Sequence, residues 1–207
     1  SDDYFVRRGD IEWRAGEVDA ARASYARVDG RDPHTATVDA VQVLRMQALL
    51  ALDAGDVVMA QESAAAAQRR AEGQTLRPGD AERLVLTRVH VALAGDDVAT
   101  AQSLLDPVLQ RFATMPDARH VRADRRSAAW LQAVILARQG HCVLAHPALD
   151  EANASLAGSV SLPAVQSEAK WASEAVAAQC PDDEANQGDA VARPSSARAA
   201  ATSSLRR

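Results

Sequence analysis

The chain has 207 residues, 28 acidic against 23 basic side chains for a net charge of −5, 47% apolar residues and only 3% aromatic ones. That length suits one sizeable domain or an array of small repeats. The scattered arginine pairs Arg7-Arg8, Arg69-Arg70 and Arg125-Arg126 form no basic footprint, which argues against nucleic acid as a partner, and no apolar run is long enough to cross a membrane as a helix.

Alanine dominates the apolar fraction, so the interior must be built by close approach of small side chains. Alanine is the best helix former, while the β-branched and aromatic residues that favour strands are comparatively few, and an all-α chain is expected. The opening SDDYFVRRGD has no starting methionine and no basic-then-apolar leader, and reads as a processed or excised fragment. Any signal peptide, anchor or partner domain would lie outside this sequence.

Four segments in chain order share one grammar: RAGEVDAARASY, LDAGDVVMAQESA, ALAGDDVATAQSLL and ARQGHCVLAHPAL. Each runs from an alanine-rich helical stretch through a glycine and one or two polar residues to a hydrophobe and a second helical stretch. Gly16, Gly55, Gly95 and Gly140 stand where a helix end favours a left-handed residue. Asp56, Asp96 and Asp97 stand at the positive end of the helix that follows.

This helix, turn, helix unit resembles the tetratricopeptide repeat, whose pattern is W-x2-L-G-x2-Y, then A-x3-F, then P. In the first unit Phe5, Gly9, Gly16, Ala21, Tyr25, Val28 and Pro33 fall in one register, while Arg8 replaces the family's leucine and Glu12 takes its tyrosine slot. The second unit keeps Leu44, Ala48, Gly55, Val57, Ala60, Ala64 and Ala67. The third aligns Gly95, Val98, Ala101, Leu105 and Val108 with one inserted turn residue, and the fourth aligns Ala133, Leu136, Gly140, Cys142, Ala145, Leu149 and Ala152. The turn glycines are 39, 40 and 45 residues apart, longer than the family's period, so the loops between units carry insertions. The resemblance covers about residues 3–157, and other helical-hairpin solenoids share much of the pattern. It implies a right-handed superhelical array of about four tetratricopeptide-like hairpins.

A ninth helix is expected over PAVQSEAKWASEAVAAQC, opened by Pro163 and stopped at Cys180-Pro181, with Val165, Ala169, Ala172, Val176 and Ala177 at helical spacing. It reads as a C-terminal capping helix over the last hairpin, on which Trp171 could pack. Residues 1–180 then form the repeat domain, and 181–207, polar and small, read as a disordered or low-complexity tail.

The cluster GHCVLAH gathers His141, Cys142 and His146. In the repeat register Cys142 takes the slot of Val18, Val57 and Val98, where cysteine acts as a small hydrophobe. The two histidines take solvent positions. Cys142 and His146 at i, i+4 are two metal ligands where zinc needs three or four, and a Cys-His nucleophile lacks a cleft and an oxyanion donor. No metal site, catalytic residue or cofactor is expected. Cys142 and Cys180 are each 19 residues from residue 161, the fold-back point between two antiparallel helices. They either form a disulfide stapling the cap to the last unit or remain two buried thiols. The bridge would point to an extracytoplasmic or periplasmic setting; the alternative is cytoplasmic.

Arrays of this family bind partners along the first helices of their hairpins. The resemblance places Asp10, Trp13 and Arg14 of unit one there, with Arg45, Met46, Leu49 and Leu52 of unit two and Trp130, Val134 and Arg138 of unit four. Val85 and Val89 follow for unit three, with the register fixed to within one residue. An extended or helical peptide would lie on this surface, anchored by Trp13 or Trp130 and oriented by arginines; the alternative is that Trp13, Leu49 and Trp130 are core between repeats. The reading is a non-enzymatic protein- or peptide-binding module, a sensory or scaffolding part of a larger signalling or cell-envelope protein. A peptide- or small-ligand-responsive regulator on the same array is the alternative, a metalloprotein or Cys/His enzyme a remote one. A homo-oligomer is left open.

Overall fold

A computed structural model describes residues 1–77, 79–116, 119–156 and 162–181. Among the described residues there are nine α-helices and no strand: α1 Asp2–Arg14, α2 Val18–Tyr25, α3 Thr37–Asp53, α4 Val57–Ala71, α5 Asp80–Ala94, α6 Val98–Thr114, α7 Arg119–Arg138, α8 Cys142–Ala154 and α9 Pro163–Gln179. The tail expected over 181–207 lies, from residue 182 on, outside them.

The helices pack in pairs, α1 with α2, α3 with α4, α5 with α6 and α7 with α8. All four turns within these pairs close the same way. The amides of Glu17, Asp56, Asp97 and His141 each donate to the carbonyl five residues back, at 2.8–2.9 Å. This bond requires a left-handed residue immediately before the donor. Gly16, Gly55 and Gly140 supply it at φ of 79°, 75° and 78°, but in the third turn the left-handed residue is Asp96 at φ 60°, and Gly95 is not left-handed at −85°. The expected placement of Gly95 is therefore corrected by one residue, and the third turn needs no insertion. Asp97, not Asp96, then caps α6, accepting from the Thr100 amide at 3.0 Å, as Asp56 caps α4 through the Met59 amide at 2.9 Å.

Small side chains set the spacing inside the pairs. Ala60, Ala64 and Ala67 make a fully enclosed stripe on α4 opposite Leu44, Ala48 and Ala51 of α3. In the first pair Gly9 lets the Tyr25 ring lie directly against the α1 backbone. Glu12 is buried but satisfied, receiving the Ser24 hydroxyl at 2.5 Å and the Arg8 guanidinium at 2.7 Å. These bonds hold its carboxyl below the usual range. The most extensive apolar cluster joins α5 to α9 through Leu93, Leu105, Leu131, Ile135, Leu149 and Val176.

The odd-numbered helices touch in sequence, α1 with α3, α3 with α5, α5 with α7 and α7 with α9, and α9 in turn reaches α1. At that last contact the Pro163 ring lies against Gly16, where an added Cβ would come within 2.9 Å of it. The inner helices thus form a closed circuit, and the cap covers the last hairpin while also meeting the first. Val165 and Ala169 are half-buried, Ala172 and Val176 are buried as expected, and Ala177 is exposed. No described helix is long and apolar enough to cross a membrane.

Candidate functional site

A cavity of about 1260 Å³ lies within this circuit, lined almost wholly by odd-numbered helices. From α1 come Val6, Asp10, Trp13 and Arg14, and from α3 Gln42, Arg45, Met46, Leu49 and Leu52. Helix α5 supplies Arg83, Leu86, Thr87 and His90, α7 supplies Asp124, Ser127 and Arg138, and α9 supplies Val165, Glu168 and Trp171. Each inner helix reaches the cavity because its hairpin partner covers the opposite face.

Four of the six binding residues expected from sequence, Trp13, Arg14, Arg45 and Leu49, meet along one wall formed by α1 and α3. Arg138 also lines the cavity, but its guanidinium is turned to the end of α5, donating to the Leu93 carbonyl at 2.7 Å and to Asp96 at 3.1 Å. Trp130 does not line it. The ring is 1% exposed, with its indole N–H donating to Asn153 of α8 at 2.9 Å and the Arg126 guanidinium 5.5 Å from the ring centre. An aromatic side chain with its polar handle satisfied inside a helix pair is core, so of the two readings of Trp130 the burial fits core rather than a binding anchor. Val85, Val89 and Val134 are absent from the lining as well; Val89 and Val134 are fully enclosed. On α5 the lining positions are Leu86 and His90, one residue further on, as the shifted turn requires.

The wall is polar at its centre. Asp10 accepts the Tyr25 hydroxyl at 2.5 Å and the Gln42 amide at 2.7 Å. The oxygen of that amide accepts from Arg45 at 3.2 and 3.1 Å, tying α1, α2 and α3 into one chain of bonds. Burial, then the neighbouring Asp10 carboxylate, drives the Tyr25 hydroxyl far above its ordinary value. Burial pulls the Arg45 guanidinium below its own, and Arg45 has no carboxylate within 4.0 Å among the described residues. Across the cavity Arg83 bonds Asp124 at 3.1 Å and Asp80 at 3.3 Å. Burial lifts the Asp124 carboxyl in spite of Arg83.

Helix α9 closes the remaining side. Glu168 accepts the Ser127 hydroxyl of α7 and lies 3.3 Å from Nε2 of His90 on α5. Trp171, one turn on, packs against the His90 ring with centroids 4.9 Å apart. His90, Ser127 and Glu168 were not singled out by sequence. The available signal was α9 itself: once it counts as a fifth inner helix, its acid and aromatic three residues apart face the same space as Trp13.

Cys142 and Cys180 are joined, with sulfurs 2.02 Å and Cα atoms 5.4 Å apart. Cys142 is half-buried at the first position of α8 and Cys180 is enclosed. His141 is exposed as the residue before α8, whereas His146, expected to face water, is half-buried. Among the described residues no three His, Cys, Asp or Glu side chains are grouped to hold a metal ion. Comparison with protein-family models, curated proteins and solved structures finds no match to the chain.

Proposed function

We propose that this chain is a non-enzymatic protein- or peptide-binding module, built as a right-handed array of tetratricopeptide-like hairpins whose inner helices receive the partner. The observation that carries the reading is the cavity shared by the odd-numbered helices, with Trp13, Arg14, Arg45 and Leu49 on one wall. A side of the cavity that joins an aromatic and leucine to the Arg14 and Arg45 guanidinium groups suits a segment with one apolar anchor and several polar backbone groups. At about 1260 Å³ the space also exceeds the roughly 300–1,000 Å³ typical of small-molecule pockets. The module belongs to a larger sensory, signalling or envelope protein, and the Cys142–Cys180 pairing favours an extracytoplasmic setting for it.

The test is selection of displayed peptides on the full chain, followed by titration of the enriched sequences against Leu49→Arg and Arg14→Glu. Both positions line the cavity; Arg14 is exposed, and Leu49, like Trp13, is half-buried against the cluster of Val6, Tyr25 and Met46. At least tenfold weaker binding by each variant, with melting temperatures near that of the parent, is the expected result. No enrichment, or enriched peptides that bind both variants unchanged, would overturn the reading.

A further inference from the structure

We propose that α9 is a movable wall of the cavity and that the Cys142–Cys180 disulfide is the redox lock that holds this wall in place. This rests on the cavity being the binding site and adds how access to it is controlled.

Helix α9 is held at three places. Its first turn meets the α1–α2 turn where Pro163 lies against Gly16, its middle is latched by Glu168 to Ser127 and His90, and its end is fixed by the disulfide. Between these points α9 encloses only Ala172 and Val176 fully, fewer than any other described helix, while Val165, Ala169, Trp171 and Ala175 pack half-buried against the α5–α8 core and Trp171 meets the His90 ring. Non-covalent contacts therefore leave α9 among the less firmly held elements, and such elements open first. Nothing from α9 enters the apolar clusters of the first two hairpins. Its release therefore leaves the α1–α3 wall intact. With α9 displaced, the side of the cavity that carries Val165, Glu168 and Trp171 is removed, and a space already partly open to solvent widens into a groove lined by α1, α3, α5 and α7.

The bond is placed for exchange. Cys142 is the more accessible partner and Cys180 the enclosed one. One thiolate of a dithiol reductant attacks Sγ of Cys142, forming a mixed disulfide and expelling the Cys180 thiolate, which takes up a proton. The second thiol of the reductant then displaces Cys142, leaving the reductant as a disulfide and the protein with two thiols, for two electrons and two protons transferred. In this second step the leaving thiolate sits at the N-terminus of α8, where the helix dipole stabilises negative charge.

Hydrogen exchange read by mass spectrometry on the full chain, oxidised and after dithiothreitol, tests the lock without any ligand, so its failure is separate from failure of the peptide-binding reading. Peptides from 163–179 should exchange at least tenfold faster after reduction, while those from α1 to α4 stay unchanged. The Cys142→Ser variant should reproduce the reduced pattern without reductant. In a chain keeping Trp13 as sole tryptophan through Trp130→Phe and Trp171→Phe, acrylamide quenching of Trp13 should at least double on reduction. Unchanged exchange in 163–179 would overturn the proposal, since the bond then locks nothing. Loss of protection throughout the chain would overturn it equally, as the bond would be a staple of the whole fold. If the double Trp variant does not fold, exchange of the parent chain decides alone.

Discussion

Replacing Gly9 by alanine sets two effects of opposite sign against each other, and the structure decides between them. In an exposed helix interior the change would gain about 1 kcal/mol of helix propensity. Here the new Cβ would lie 2.7 Å from both Cε1 and Cζ of Tyr25 and 3.0 Å from Cδ1, against the ordinary contact of about 3.5–4.0 Å. The ring must move by nearly an ångström. It has nowhere to go, being 0% exposed with its hydroxyl fixed to Asp10 at 2.5 Å. Overpacking of this kind costs about 1–3 kcal/mol, and a weakened bond to the Asp10 carboxylate adds up to about 2 kcal/mol. The net expectation for Gly9→Ala is destabilisation by about 2 kcal/mol, or a melting temperature lower by about 4–8 °C for a chain of this size. Urea unfolding followed by far-ultraviolet circular dichroism measures it, and Tyr25→Leu in the same chain should restore much of the loss by making room. A Gly9→Ala protein at or above the stability of the parent would refute the reasoning, because propensity would then have outweighed the contact.

Two further outcomes follow from the electrostatics and the backbone. Burial pushes the Glu82 carboxyl up, but the Arg111 guanidinium at 2.7 Å and the Gly79 amide at 3.1 Å outweigh it and hold the carboxyl below its usual value. A folded-state value below the unfolded one gives stability that is present above the unfolded value, about 4.5, and is lost as pH falls through the folded value. Urea midpoints for the parent and Glu82→Gln should therefore differ at pH 7 and converge on acidification; a gap that stays constant or widens toward acid contradicts the assignment. Asp96→Gly should stabilise by roughly 0.5–1 kcal/mol, since the residue is left-handed at φ 60° and glycine removes that cost. Its ion pair with Arg138 is 91% exposed on the Asp96 side and offers little to lose. A midpoint lowered by Asp96→Gly would show that the pair matters more than the turn.

The helical pairs were legible because each is written by local rules. An alanine-rich run, a left-handed turn residue and an acidic cap identify a hairpin whatever surrounds it, and Val18, Val57 and Cys142 each open the second helix of a pair. In the third unit the expected register is one residue out, because Gly95 is not the left-handed residue. The hydrogen bond is what marks it: the Asp97 amide bonds the Ala92 carbonyl, so Asp96 takes the strained place. Counted from there, Leu86 and His90 of α5 fall in step with Arg45 and Leu49 of α3, and the lining of α5 needs no separate explanation.

The site was less legible than the pairs, because which inner positions stay open depends on what packs across them. Trp130 stands ten residues before its left-handed turn residue, as Arg45 does before Gly55. The two have opposite fates: Arg45 faces the cavity, while the Trp130 indole is drawn into the α7–α8 interface by Asn153. A repeat register supplies the direction of a side chain but not its neighbour. Only the return of α9 to α1 decides that the inner face becomes a cavity, and that contact joins Gly16 to Pro163 across almost 150 residues. The last described helix therefore packs against the first hairpin. Trp13 of α1 and Glu168 of α9 line the same space, so on the proposed reading anything that loosens α9, whether reduction of the disulfide or loss of the Glu168 bonds, should alter binding at Trp13 before it alters the hairpins.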